Sequence, residues 1–390
     1  MNSTLLRRRV TVLLGSLALA ATLTAQTDSA ALAQGPQRLQ LGGDFRFRVE
    51  QDWNSRKADG TLRPDRFRMR YRFRLGVSKQ LDRNFSVAGR LRTGHPQDQQ
   101  GPHLTLGGNG GEFSLLSIGL EKAFVRYDNE CFWAWAGKND YPFWKEHELL
   151  WNDNVFPEGV AAGAEWSVGE QWALAPTSAY FVVRASANPE VGDASLFSNQ
   201  LRLRYSPAPD TRLTLNAGSM LFRNLPDAPD GRHDALMNYH LLTASAQYRW
   251  KQWTVGYDYY HNCADYRSKP EVDVSLTAAR TGQVAYLLYR RGQGAGAYHA
   301  GLYLARIGKY SIVDYFSQND WGRWDYSGLG ATGSRLSNFR GLELRAGYQL
   351  TEAIDLVGRL YSIASLAPAA TAGAGPETGE RFRIDANVKF

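Results

Sequence analysis

The stretch Arg66-Phe67-Arg68-Met69-Arg70-Tyr71-Arg72-Phe73-Arg74-Leu75 decides the fold. Arginine occupies every second position, and an aromatic or aliphatic residue stands between each pair. On a helix, at about 100° per residue, these arginines would scatter around the axis, whereas on a strand they share one face. That face cannot be packed dry, because an isolated charge in an apolar medium costs about several kcal/mol or more. One side of the strand therefore meets water and the other meets something apolar.

The segment before it repeats the pattern. Leu41, Phe45, Phe47 and Val49 alternate with Asp44, Arg46, Arg48 and Glu50. Alternation alone leaves open whether the wet face is the outside of a soluble sheet or the inside of a barrel. The spacing of the strands bears on that choice. After 39–50 and 66–78, strands are predicted near 84–93, 119–128, 131–138, 159–167, 172–186, 196–205, 211–222, 239–250, 252–262, 281–291, 296–307, 338–350, 353–365 and 380–390. Short turns fall at Leu81-Asp82-Arg83, Asp128-Asn129-Glu130, 168–171, 206–210 and around Lys251, Gly292 and Thr351. Between them lie long connections near 51–65, 94–118, 139–158, 223–238, 263–280, 308–337 and 366–379, with a shorter one at 187–195. Tight turns on one rim and long loops on the other imply an all-β, transmembrane antiparallel β-barrel of about 16 strands, with short periplasmic turns and long extracellular loops.

Arg7, Arg8 and Arg9 followed by the apolar run from Val10 to about Ala21 read as an export signal, too short to span a bilayer. Cleavage is expected after Ala33, with Ala25 the alternative, so that 1–33 is a signal peptide and 34–390 a single barrel domain. No later run of about 20 apolar residues offers a transmembrane helix, and a closed barrel is the other structure that crosses lipid. Phe, Trp and Tyr make up 12% of the chain against four Met, as aromatic girdles require. The formal charge of +7 is mild, and no nucleic-acid partner is expected. Cys131 and Cys263 fall at opposite rims and are predicted to stay unbridged. The chain ends in an alternating strand, Phe382 to Phe390, whose terminal aromatic resembles the signal read by the outer-membrane barrel assembly machinery.

From about Gly42 to Ala162 the chain resembles the putative porin family of Gram-negative outer membranes. The resemblance is carried by Gly43-Asp44-Phe45-Arg46-Phe47-Arg48, the arginine strand, Gly89-Arg90-Leu91-Arg92-Thr93-Gly94, and Lys122-Ala123-Phe124-Val125-Arg126-Tyr127. It continues through Gly137-Lys138-Asn139, Pro142-Phe143-Trp144, Leu150-Trp151-Asn152-Asp153 and Pro157-Glu158-Gly159-Val160. It implies a channel in the outer-membrane lipid, without specifying a solute.

Arg46, Arg48, Arg68, Arg70, Arg72, Arg74, Arg90 and Arg92 are the candidate pore lining, because sequential strands usually pair and would gather them into one basic wall. Rows about 4.8 Å apart place neighbouring guanidiniums within a Debye length of each other. The connection 139–158, carrying Asp140, Glu146, Glu148, Asp153 and Glu158, is expected to fold into the lumen as a constriction, its carboxylates facing the arginines. Fixed cations at a narrowing favour anionic solutes, and the bland alternative is a hydrated lining with no preference. By analogy with general porins of this size, a homotrimer is the assembly to test.

His95, His103, His233, His240, His261 and His299 lack Cys or carboxylate at ligand spacing, so neither a metal site nor any cofactor is expected. The glycine-rich 292–296 stretch opens no helix and lacks a following Gly-Lys-Ser/Thr, which leaves a turn. No Gly-x-Ser-x-Gly elbow occurs. Trp133, Trp135, Trp166, Trp172, Trp250, Trp253, Tyr257 and Tyr259 read as interfacial anchors, with sugar stacking the alternative. Three functions stand: a passive water-filled porin for small polar solutes, with or without the anion preference, and ion transport; a polysaccharide exporter barrel; and an outer-membrane enzyme, which no histidine arrangement supports.

Overall fold

A computed structural model describes residues 39–390 except 97, 109–112, 114, 187–191, 227–235, 270–276, 322–336 and 368–374. The export signal with Ala25 and Ala33, and His233, lie outside the described residues. In chain order the strands are β1 (Gln40–Arg56), β2 (Arg66–Gln80), β3 (Phe85–Thr93), β4 (Leu104–Thr105), β5 (Ile118–Asp128), β6 (Phe132–Lys138), β7 (Glu158–Ala164), β8 (Trp166–Val168) and β9 (Trp172–Arg184). They continue as β10 (Ala194–Ala208), β11 (Thr211–Pro226), β12 (Leu236–Trp250), β13 (Trp253–Asn262), β14 (Thr281–Arg291), β15 (Tyr298–Ile307), β16 (Phe339–Gln349), β17 (Ile354–Ser365) and β18 (Thr378–Lys389). All pairings are antiparallel, and β1 pairs with both β2 and β18, which closes the sheet. β8 continues β7 past Glu165, and β4 fills the edge of β2 opposite Arg70 and Tyr71, above the end of β3. The barrel thus has sixteen staves, as the alternation predicts.

Strand ends depart from the sequence reading where both faces turn polar. β1 runs on through Gln51-Asp52-Trp53-Asn54, a stretch that looks like loop. Asp52 faces inward there and pairs with Arg66 and Arg381, so the polar residue belongs to the ladder.

Phe67, Met69, Phe73, Leu75 and Val77 of β2 are exposed on the outer face, while Arg72 and Arg74 are buried on the inner one. Trp166, Trp172, Trp250 and Trp253 lie exposed near the short-turn rim, where an aromatic girdle belongs, and Tyr257 is exposed midway along β13. Trp133 and Trp135 are corrections to that reading. Trp135 is buried and stacks on Phe181 at 5.8 Å, and Trp133 takes the Arg126 guanidinium over its ring at 5.1 Å, because their register points them inward. Cys131 and Cys263 are free and exposed.

The interior is not an open tube. Two clusters of buried side chains fill the loop-side half of β9 to β17, among them Phe181, Leu196, Phe222 and Leu241 in one and Val284, Tyr286, Tyr303, Ile307 and Phe339 in the other. The residues packed on them come from the connections after β6 and after β15, such as Phe143, Leu149, Trp151, Tyr310, Phe316 and Trp321.

Candidate functional site

The basic wall forms as the register requires. Arg46 faces Arg72, and Arg48 faces Arg70, across β1 and β2, while Arg74 faces Arg92 across β2 and β3. Like charges set opposite one another repel, so carboxylates are interleaved on the same face. Arg48 is paired with Asp385 at 2.6 Å, Arg68 and Arg70 with Glu50, and Arg72 with Asp44; Arg74, Arg90 and Arg92 converge on Glu121. Arg46 takes a neutral partner, donating from Nε to the side-chain oxygen of Asn387.

This corrects the expected source of counter-charge. The carboxylates of the 139–158 connection find partners elsewhere: Asp140 pairs with Lys122, Glu158 with Lys138 and Asp153 with Lys145, and Glu146 accepts from Gln247. Against the arginines of β2 and β3 the connection presents neutral side chains. Asn154 accepts from Arg74 at 2.9 Å, and Phe156 lies under Arg90 and Lys122, each 5.2 Å from its ring centre. Such cation–π contacts contribute about 0.5–2 kcal/mol each.

The connection is rooted at Gly137 and Gly159, register partners whose φ values of +122° and +154° suit glycine. A β-carbon at either would fall within 2.3 Å of a backbone oxygen on the neighbouring strand. From these roots it crosses toward β10 to β15. Gln200 holds the backbone of Trp144 by both ends of its amide, at 2.8 and 3.0 Å. His147 Nε2 lies 2.7 Å from Asp258, both buried, with Tyr286 and Tyr303 set edge-on to the imidazole. Trp151 stacks between Tyr141 and Phe316, with centroids at 4.5 and 5.1 Å.

The segment after β15 locks onto this one and onto the wall. Phe316 accepts a backbone hydrogen bond from Asn152, and Gln99 and Gln100 reach the carbonyls of Tyr315 and Ser317. Asp320 sits 2.5 Å from Arg383 and 3.8 Å from Arg381. Burial opposes its ionisation, but Arg383, Arg48 and Arg381 outweigh that and hold the carboxyl well below the usual carboxylate range. His103, in the connection after β3, is kept well below the usual imidazole value by burial and then by the field of Arg48, Arg46, Arg70 and Arg72. It is therefore neutral near pH 7. Burial, reinforced by Asp153, pushes Glu148 up to about 7.

Space remains between the connection and the wall. A cavity of about 570 Å³ toward the short-turn rim is lined by Arg46, Arg72, Arg90, Arg359 and Lys389 with Asp44, Asp355 and Asp385. A second, of about 180 Å³, lies above it among Glu148, Asp153, Asp320 and Glu343, and Arg359 belongs to both. Both spaces are bordered by charged side chains on the arginine side of the barrel.

A sequence profile of the putative porin family matches residues 60–252. The chain belongs to that family. Solved porins share its fold: Pseudomonas putida OprB at high pH (TM-score 0.54, 12% identity, 94% of this chain and 96% of that one), and Salmonella typhi OmpF with daunomycin (0.51, 10%, 91% and 98%). The fold is also that of Vibrio cholerae OmpT, an outer membrane protein folded in vitro and described in its trimer form (0.51, 8%, 91% and 100%). No curated protein matches this chain in sequence. The porin accordingly resides in the outer membrane of a Gram-negative bacterium.

Residues of this porin that the sequence reading left unassigned complete the wall from the other end of the chain. Arg345, Arg359, Arg381 and Arg383 extend it across β16, β17 and β18, with Arg383 held between Asp320 and Asp385. The alternation of Arg381, Arg383 and Asp385 in β18 carried the signal. What it lacked was the knowledge that β18 lies beside β1. His147 and Asp258 could not be joined from sequence, because 111 positions separate an irregular segment from a strand.

Proposed function

We propose that this porin is a passive, water-filled channel for small polar solutes that favours anionic ones. In this reading Arg46, Arg48, Arg68, Arg70, Arg72, Arg74, Arg90 and Arg92 line the pore, joined by Arg359. The 139–158 connection is the constriction, and it narrows the lumen by filling the wall opposite the arginines. One observation carries the preference: the larger cavity is lined by five cationic side chains against three carboxylates. Such an excess in a confined space raises the local concentration of anions.

Reversal potentials in a KCl gradient test it. Wild-type channels should pass chloride ahead of potassium, and Arg70→Ala with Arg72→Ala should move the potential toward zero. A double variant with unchanged selectivity would sink the anion preference. The trimer described for the Vibrio cholerae protein suggests a homotrimer here, which native mass measurement in detergent would reveal. Phe390, stacked on Phe73 at 6.0 Å, serves in this reading as the assembly signal; Phe390→Ala should slow insertion.

A further inference from the structure

The cationic cavity has more structure than a general excess of charge requires. Arg46 lies directly opposite Arg72 across one pair of strands and opposite Asn387 across the other. Asp44 neutralises Arg72, but Arg46 is given only the amide oxygen of Asn387, and that amide's nitrogen is turned away to Asp355 at 2.7 Å. Asp385, the other carboxylate within reach, is already shared by Arg48 and Arg383, neither of which lines the cavity. Arg90 is committed through Nε to Glu121, and Arg359 to Glu343 at 3.6 Å. The Nε groups of Arg72 and Arg359 are buried without a hydrogen-bond partner in the protein. Guanidinium donors from four strands thus converge on one space with fewer acceptors than they can fill.

We propose that this cavity is a discrete, saturable site for a doubly charged oxyanion, held by Arg46, Arg72 and Arg359. The proposal rests on the anion-channel reading and sharpens it from a bias to a binding step. The planar fork of arginine matches two oxygens of one anionic group at once, and several neighbouring forks favour an anion with several oxygens over a spherical halide. Chloride can screen the site but cannot bridge it. Inorganic sulfate or phosphate and an organic dicarboxylate share the required chemistry. The cavity of about 570 Å³ has room for either with its water. Bound solute neutralises the Arg46–Arg72 repulsion, so occupancy should also stabilise the barrel.

The test uses the full mature porin, refolded, in planar bilayers at constant ionic strength, with chloride replaced stepwise by sulfate or, in a second arm, by succinate. Current should fall along a saturating curve. Arg46→Gln should raise the half-saturating concentration about tenfold or more, as expected for losing a charge-assisted hydrogen bond, while Arg46→Lys should recover part of the loss. Arg267→Ala, on an exposed connection, should leave it unchanged. Saturation by either anion upholds the site, and the ratio between the arms assigns its class. A parallel measurement in detergent, the unfolding temperature against sulfate at fixed ionic strength, reads binding without needing conduction. A channel that is anion-selective in KCl yet blind to both anions, with no rise in unfolding temperature, overturns the site and leaves the channel reading intact. A non-conducting barrel that sulfate still stabilises does the reverse.

Discussion

Along β1 and β2 the inward positions read Asp44, Arg46, Arg48, Glu50 and Arg68, Arg70, Arg72, Arg74, whereas along β14 and β15 they read Val284, Tyr286 and Tyr303, Ala305, Ile307. The first wall is charged and bordered by cavities, and the second is covered by the connection after β6 and the segment after β15. A barrel of sixteen strands is too wide for its own side chains to fill, and this porin treats the surplus volume asymmetrically. It packs protein against one side and leaves cavities beside the other. In the proposed channel the path is therefore off-centre, and its chemistry is that of the arginine side.

The contrast can be broken most directly at Trp151. Replacing it with Ala removes a ring stacked on Tyr141 and Phe316 and should cost about 3–5 kcal/mol of packing. Single-channel conductance should rise, and added protease should cut the connection faster. Asp385→Asn attacks the opposite wall. It leaves Arg48 and Arg383 without their shared carboxylate, a loss of about 3 kcal/mol for a buried pair. The temperature at which the folded band is lost in detergent gels should fall. Gly256→Ala is milder, since a β-carbon there would meet the Tyr286 ring at 2.1 Å and push it toward His147. About 1–3 kcal/mol is expected from such overpacking, seen as noisier open-channel current.

The smallest effect is a pH dependence. Glu148 binds its proton more tightly in the docked connection than in free chain, so this contribution to docking is complete below about 4.5 and lost as pH rises through about 7. Conductance should creep upward across that window, and Glu148→Gln should flatten the curve. A wild-type trace that is already flat would remove Glu148 from the account.

The arginine wall was legible because its residues alternate with apolar ones that face lipid, and the two environments differ as much as side chains can. β14 was legible as a strand but not as a wall. Val284-Ala285-Tyr286-Leu287-Leu288-Tyr289 is apolar on both faces, so nothing marks which side meets lipid and which meets packed protein. The acidic residues near 139–158 were found as a group, but their partners were misjudged. Proximity in sequence suggested that they answer the arginines, whereas strand register had already supplied Asp44, Glu50, Glu121 and Asp385. Contacts set by register can be inferred once the strand order is known. Contacts made by irregular backbone, such as Gln200 with Trp144, have no period to reveal them.

The ion pair between Arg48 and Asp385 joins positions 337 residues apart. Its basic member stands on β1 and its acidic member on β18, so the pair forms only when those two staves meet. Electrostatic relief thus arrives together with the final seam, and an incomplete or wrongly seamed cylinder forfeits it.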